Sequence, residues 1–134
     1  MILNRSNANR WSKTISIEVK TCNGYVLITA KDHVSIDDIV ALFKTLRQNI
    51  FKGKRLKLLI DDRDETFDAS FSIARKLANL FTENSDILES RVAVVVTTTL
   101  SYGIGRMVAS ILAAYNFELN IYKDFEVAES WLIK

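Results

Sequence analysis

RVAVVVTTT, residues 91–99, is an apolar and β-branched run, which is typical of a buried strand. SYGIGR, residues 101–106, follows it and leads into an apolar helix. A second strand, ELNIY at residues 118–122, and an amphipathic helix from Asp124 to Ile133 come next. Strands that alternate with helices in this way are typical of a parallel sheet with covered faces. The stretch therefore predicts an α/β fold.

The chain before this stretch adds a hairpin and two further strand–helix units. Alternation begins at Lys13, Cys22-Asn23-Gly24 indicates a turn, and a returning strand covers residues 25–30. A helix is predicted after the N-cap Ser35, a strand over residues 56–61, a loop over 62–67 and then a second helix. The predicted order is ββαβαβαβα, a mostly parallel, mixed five-stranded sheet with helices on both faces.

Length and composition indicate one domain. The 134 residues, 49% of them hydrophobic, suffice for a single core. Residues 1–12 are polar and predicted to be a flexible N-terminal extension, so the domain covers residues 13–134. Cys22 is the only cysteine in the sequence, and no run resembles a signal peptide or a transmembrane segment. We therefore expect a cytoplasmic protein.

An acidic segment follows the predicted third strand, at the sheet edge where α/β proteins collect ligands. Asp62, Asp64 and Thr66 loosely match the D-x-D-x-T motif of haloacid-dehalogenase-type phosphatases, so Asp62 and Asp64 are weak candidates for a metal site. No acidic pair follows the fifth predicted strand to complete such a site. A solvated turn with an Asp–Arg63 pair is the alternative, and no cofactor is predicted.

Glycines near the start of the third predicted helix indicate a second candidate site. Gly103, Gly105 and Arg106 could bind an anion through backbone amides and a guanidinium group. The spacing completes neither a dinucleotide fingerprint nor a P-loop, and close helix packing is the alternative.

Basic residues are concentrated between Ile39 and Ile60, where six occur without an acidic one. The formal net charge is nevertheless only +2 at pH 7. A solvated basic surface explains this segregation better than a nucleic-acid site, so no nucleic-acid partner is predicted.

The hairpin, the following strand–helix units and the ending YKDFEVAESWL, residues 122–132, resemble the SpoIIAA-like, STAS-related family. In that family a serine at the start of the helix after the third strand is phosphorylated and contacts a partner kinase. The resemblance places Ser70 of FDASF, residues 67–71, at this position, with Phe71 in place of a glycine. Asp68, Ser70, Tyr102 and Arg106 are then candidate switch or partner-binding residues, and an ordinary helix cap at Ser70 is the alternative.

These observations predict a non-enzymatic regulatory or protein-interaction module with a protein partner, and they are compatible with a homodimer. The alternative is a protein that binds a lipid or a small apolar ligand, and a metal-dependent phosphatase-like enzyme is a distant third. An interaction module predicts a filled core and an exposed patch near Ser70 and Tyr102. A ligand-binding protein predicts a cavity, lined by Phe43, Phe71, Leu77, Phe81 and Ile111.

Overall fold

The computed structural model describes residues 10–13, 17–49, 54–66 and 71–134 of the chain. It contains six strands and four α-helices in these residues, with a short 3₁₀ turn at Ser85–Ile87. The strands are β1 Arg10–Lys13, β2 Ile17–Cys22, β3 Tyr25–His33, β4 Leu56–Thr66, β5 Leu88–Val95 and β6 Glu118–Tyr122. The helices are α1 Ile36–Gln48, α2 Phe71–Glu83, α3 Thr99–Ala113 and α4 Phe125–Ile133.

All six strands form one mixed sheet in which spatial order follows chain order, from β1 to β6. The first two pairings are antiparallel, and the pairings from β3 to β6 are parallel. The predicted α/β class is confirmed, with one strand more than the five expected. The additional strand β1 begins at Arg10, within the segment 1–12 that was predicted to be a flexible extension. That prediction is therefore wrong for residues 10–12, and residues 1–9 lie outside the described residues. A short edge strand pairs through its backbone and needs no apolar alternation, so its sequence lacks the pattern that predicts a strand.

Helices cover both faces of the sheet, as predicted, but unequally. Helices α1, α2 and α3 pack in one core with side chains such as Leu58 and Val92. Helix α4 packs on the opposite face through Ala128 and Leu132. Because β–α–β crossovers are right-handed as a general rule, successive crossovers to the neighbouring strand leave their helices on one face. The sheet therefore has one thick, three-helix side and one side with a single helix.

Helix starts follow local capping rules. The Ser35 hydroxyl accepts a hydrogen bond from the amide of Asp38 at 3.1 Å, while the Asp38 carboxylate accepts one from the Ser35 amide at 2.9 Å. Thr98 and Asp124 cap α3 and α4 in the same way, through the amides of Ser101 and Val127. No helix in the described part of the chain combines the length and the apolar character needed to cross a membrane.

Strand β4 is longer than the sequence predicted. It continues through Thr66, so the segment expected to form a loop is largely strand. The reason is pairing with β3, which aligns Lys31 with Asp64 and His33 with Thr66 after the pairing with β5 has ended at Asp61. Tertiary pairing thus overrides the low strand propensity of acidic residues.

Candidate functional site

An apolar cavity of about 80 Å³ lies between the sheet and the three helices on its thick side. Strands β2 to β6 contribute to its floor, and helices α1, α2 and α3 form its walls. Representative lining residues are Ile28, Leu58 and Val94 from the strands and Phe43, Phe81 and Ile104 from the helices. Alternation along the strands explains the floor, because every second side chain faces the same side of a sheet.

Asp62 continues this alternation and is among the residues that line the apolar cavity. It follows Leu58 and Ile60 at intervals of two residues, so it faces the helices as they do. The pairing of β3 with β4 is irregular here, since Asp62 and Arg63 together stand opposite the single residue Ala30. Such bulges often lie beside functional sites, where they redirect side chains.

Burial is the main cause that raises the pKa of Asp62, and the negative charge of Asp61 adds to it, bringing the pKa to about 7. A neutral acid is favoured here because an apolar surrounding solvates a carboxylate poorly. Ser101, in the first turn of α3, adds a hydroxyl-bearing side chain to the lining. Asp62 and Ser101 are half-buried, whereas Leu58 is 0% exposed.

Asp61 lies on the opposite face of the sheet and has a different environment. Its carboxylate accepts two hydrogen bonds from the Arg63 guanidinium, of 2.9 and 2.7 Å, and Arg63 lies 5.4 Å from the ring centroid of Phe125 in α4. Burial alone would raise the pKa of Asp61, but the hydrogen bonds and charge of Arg63 outweigh it and hold that pKa below its ordinary value. The two adjacent carboxyl groups are thus pushed toward opposite protonation states.

Metal binding at Asp62 and Asp64 finds no support in this arrangement. Asp62 contributes to the cavity, whereas Asp64 is exposed on the extended strand. Within the described ranges, no three His, Cys, Asp or Glu side chains lie together in a group that could hold a metal ion. The predicted D-x-D-x-T loop is also replaced by strand, as described above.

The glycines of the predicted anion site lie inside α3 rather than before it. The helix begins at Thr99, so the Gly103 and Gly105 amides belong to positions where an α-helix uses them in its own hydrogen bonds. This corrects the expected placement and does not favour anion binding by these amides. A Cβ at Gly105 would lie 2.7 Å from Cδ1 of Ile121 in β6, so this glycine permits close helix–strand packing.

A cationic and aromatic surface forms where α3 begins and β6 ends. Arg106 and Lys123 lie 5.9 and 5.6 Å from the centroid of the Tyr102 ring, within the range of cation–π attraction. The Arg106 guanidinium also donates a long hydrogen bond, of 3.5 Å, to the Tyr102 hydroxyl. We call Tyr102, Arg106 and Lys123 the Tyr102 surface.

The other predicted site residues are only partly visible. Asp68 and Ser70 lie outside the described residues, as does the side chain of Phe71. Among the residues predicted to line a ligand cavity, Phe43, Leu77 and Phe81 do line one. Ile111 packs against the same core without lining the cavity. The sequence reasoning missed Asp62 as a cavity residue, although its spacing from Leu58 and Ile60 carried the signal.

Comparison with known proteins identifies the fold. No family model matches the chain, and no curated protein matches it. The chain is similar to the crystal structure of an uncharacterized DUF3478-family protein with a SpoIIAA-like fold from Shewanella loihica, at 18% identity and a TM-score of 0.56. It is also similar to an anti-sigma factor antagonist from Mycobacterium paratuberculosis, at 16% identity and a TM-score of 0.58. Each match covers 90% of this chain and 98% or 96% of the other. The chain therefore has a SpoIIAA-like fold, as the resemblance predicted.

Proposed function

We propose that this SpoIIAA-like chain is a non-enzymatic regulatory module that acts by binding a protein partner. The observation that carries the proposal is the similarity of fold to an anti-sigma factor antagonist over 90% of this chain and 96% of that one. The description of that protein as an antagonist of an anti-sigma factor names another protein as its target, and we extend a role of this kind to the present chain. The proposal places the chain in the cytoplasm and is compatible with a homodimer.

The Tyr102 surface is the proposed contact site. It combines the aromatic ring of Tyr102 with two exposed cations, Arg106 and Lys123. Aromatic and arginine side chains contribute strongly to binding energy at protein interfaces. The two positive charges favour a partner that presents acidic residues.

Ser70 is the proposed regulatory residue, as the resemblance implies. A phosphoserine before helix α2 would place close to two negative charges near the positive end of the helix dipole. Helices α2 and α3 both follow parallel neighbouring strands, β4 and β5, so both begin at the same edge of the sheet. A charge at Ser70 would therefore act at the edge that also carries the Tyr102 surface. Substitution of Ser70 with Asp should weaken partner binding, and unchanged affinity would remove the switch from the proposal.

Charge reversal tests the contact site. The tagged chain is recovered from the organism that encodes it, and co-purified proteins are quantified for the wild type and for Arg106→Glu/Lys123→Glu. The matched control is Lys44→Glu/Lys76→Glu, which makes the same change in net charge on exposed positions of α1 and α2. We expect the partner to be lost from the first variant and kept by the second. Equal recovery with both variants would contradict the proposed surface.

Binding of a small apolar ligand is the second candidate function, and the cavity favours it. Ligand pockets are mostly apolar with few polar groups, and this cavity shares that character at a volume well below their usual range of roughly 300–1,000 Å³. Its volume of about 80 Å³ is too small for the acyl chain of a membrane lipid. Since a water molecule occupies about 30 Å³ of liquid, the space holds the equivalent of two to three waters. The cavity therefore favours a small ligand over a lipid.

A further inference from the structure

The sheet ends in two edge strands that differ in how they are protected. At one edge, β1 contains Arg10 and Lys13, and its pairing with β2 is irregular between Arg10 and Ser12. Charged residues and bulges of this kind hinder the pairing of an edge with a further strand. At the other edge, β6 contains no basic residue and no proline, Glu118 is its only charged residue, and it pairs with β5 in regular register. The β6 edge is therefore the one suited to pairing.

The backbone of β6 presents hydrogen-bonding groups on its outer side. The Tyr122 carbonyl accepts a hydrogen bond from the Val96 amide, so Tyr122 directs its backbone groups toward β5. In a parallel pair, alternate residues direct both groups to the same neighbour. Asn120 therefore also faces β5, whereas the amides and carbonyls of Leu119 and Ile121 face away from it. In the described part of the chain, no strand pairs with this outer side of β6.

Open depressions flank this edge on both faces of the sheet. On the three-helix side, α3 borders one of them with small residues, among them Ala109 and Ala113. On the side of α4, Tyr122, Val127 and Trp131 line the other, and Val127 is 53% exposed. A strand added to β6 alternates its side chains between the two faces, so it would place side chains in both depressions.

Helix α4 carries opposite charges at the two ends of one ridge. Glu126, Ser130 and Lys134 are spaced by four residues, and all three are exposed and line the depression on the α4 side. A second α4 that runs antiparallel to the first would place its Lys134 beside Glu126 and its Glu126 beside Lys134. The ridge is thus complementary to itself under a two-fold rotation, which favours a second copy of this chain over an unrelated strand.

The centre of this ridge is level with the middle of β6. The Trp131 ring centroid lies 5.9 Å from that of Tyr122, at the end of β6, and 4.2 Å from the Arg91 guanidinium. Arg91 stands opposite Glu118, at the start of β6. Trp131 therefore lies between the two ends of the strand, and Ser130 directly precedes it. One two-fold axis can pass the middle of the charged ridge and the middle of β6.

We propose that a second copy of this chain binds at β6, through antiparallel pairing of the two β6 strands about a two-fold axis at Asn120. Leu119 of each copy stands opposite Ile121 of the other, and each such pair exchanges both of its outward backbone hydrogen bonds. The two Asn120 side chains meet at the axis, where their amide groups can donate to each other. The Tyr122 and Trp131 rings of both copies lie between the two α4 helices. This interface goes beyond the proposed function, because it needs no other protein.

Sedimentation velocity of the purified full chain, from micromolar to near-millimolar concentration, measures the association. We expect the wild type to form a dimer and nothing larger, because a two-fold contact closes when two copies pair. Asn120→Lys places two like charges at the axis and should weaken dimerisation at least about tenfold. Asn79→Lys makes the same substitution at an exposed position of α2 and should dimerise as the wild type does.

Charge exchange on α4 separates the interface from a loss of folding. Glu126→Lys and Lys134→Glu each bring like charges together at two symmetric contacts, so each should raise the dimer Kd about tenfold. The double variant Glu126→Lys/Lys134→Glu restores both pairs with reversed sign. Its Kd should return to within a factor of about two of the wild-type Kd.

A monomeric wild type would overturn the proposal and leave the β6 edge to a strand of another protein. The same holds for a dimer that Asn120→Lys leaves intact, that Asn79→Lys weakens equally, or that the double exchange on α4 fails to restore. Assembly beyond the dimer would also overturn it. None of these outcomes affects the proposed binding of another protein at the Tyr102 surface, because only the purified chain is present.

Discussion

Replacement of Asp62 by Asn should stabilise the protein at alkaline pH and leave it nearly unchanged at acidic pH. An aspartate in an unfolded chain titrates near pH 3.9, whereas burial, with a contribution from Asp61, raises the pKa of folded Asp62 to about 7. Between these values the folded chain holds a proton that the unfolded chain has released. The free energy of unfolding therefore falls as the pH rises through this range.

The magnitude follows from the size of the shift. A difference of one in pKa between the folded and the unfolded chain corresponds to about 1.4 kcal/mol in the free energy of unfolding. For Asp62 this difference is roughly three, so its ionisation can lower the free energy of unfolding by at most about 4 kcal/mol. Because Asp62 is half-buried, we expect about 2–4 kcal/mol. The stability conferred by neutral Asp62 is fully present below about pH 4 and is lost as the pH rises through 7. At pH 8, Asp62→Asn should thus be more stable than the wild type by that amount.

Urea unfolding at pH 5, 6, 7 and 8 measures this difference, with free energies from linear extrapolation. Comparison of the two proteins at each pH cancels the titration of groups that they share. The stability advantage of Asp62→Asn should widen by about 2 kcal/mol between pH 5 and pH 8. Asp64→Asn, at an exposed position, should stay within about 0.5 kcal/mol of the wild type throughout. A difference that does not change with pH, or a less stable Asp62→Asn at pH 8, would refute the reasoning.

Two further substitution experiments test packing and hydrogen bonding. Gly103→Ala should raise the free energy of unfolding by about 0.5–1 kcal/mol, because no atom lies within 4 Å of the new Cβ and alanine favours helix. Gly105→Ala should lower the free energy of unfolding by about 1 kcal/mol, because the steric contact of the new Cβ with Ile121 outweighs the gain in helix propensity. Thermal unfolding measures both variants, and equal stabilisation by Gly103→Ala and Gly105→Ala would contradict this expectation. Tyr25→Phe removes the 2.5 Å hydrogen bond that the Tyr25 hydroxyl donates to Glu129. This substitution should lower the free energy of unfolding, measured in urea, by about 1–2 kcal/mol. A variant as stable as the wild type would show that the hydrogen bond contributes nothing to stability.

The fold was largely predictable because local patterns and tertiary structure agree. Apolar alternation and the turn at Cys22-Asn23-Gly24 predicted the hairpin of β2 and β3, and the cap at Ser35 predicted the start of α1. The resemblance of the C-terminal stretch to SpoIIAA-like proteins matches the fold found by comparison with solved structures. In these elements the residues that favour a structure are also those that the core buries.

The predictions are wrong where strand pairing or helix packing, rather than the local sequence, determines the structure. The acidic end of β4 does not resemble a strand, and only its alignment with β3 makes it one. The start of α3 was expected at the glycine segment, residues 103–106, but Thr98 caps the helix within a threonine run whose β-branched residues favour strand. Helix α3 therefore includes Gly103 and Gly105, which removes the expected glycine loop.

The candidate site was predicted in part. Tyr102 and Arg106 were selected from the resemblance, and the structure places them on one surface with Lys123, a residue that is near them only in three dimensions. Asp62 was selected as a metal ligand, because sequence alone presents it as one member of an acidic cluster. Whether Asp62 lines the apolar cavity depends on the alternation of side chains along β4. The sequence would have indicated this only if the predicted strand had extended beyond Asp61, as β4 does. The roles of Asp68 and Ser70 stay predictions.

Native mass spectrometry of the chain purified gently from its own host tests the central claim most directly, since one spectrum distinguishes a bound protein from a small ligand. The account predicts a complex with a second protein for the wild type and for Lys44→Glu/Lys76→Glu. Arg106→Glu/Lys123→Glu should appear without that protein. A wild-type chain that carries only a small ligand or no partner, or a complex that survives the reversal of Arg106 and Lys123, would contradict a protein-interaction module that acts through the Tyr102 surface.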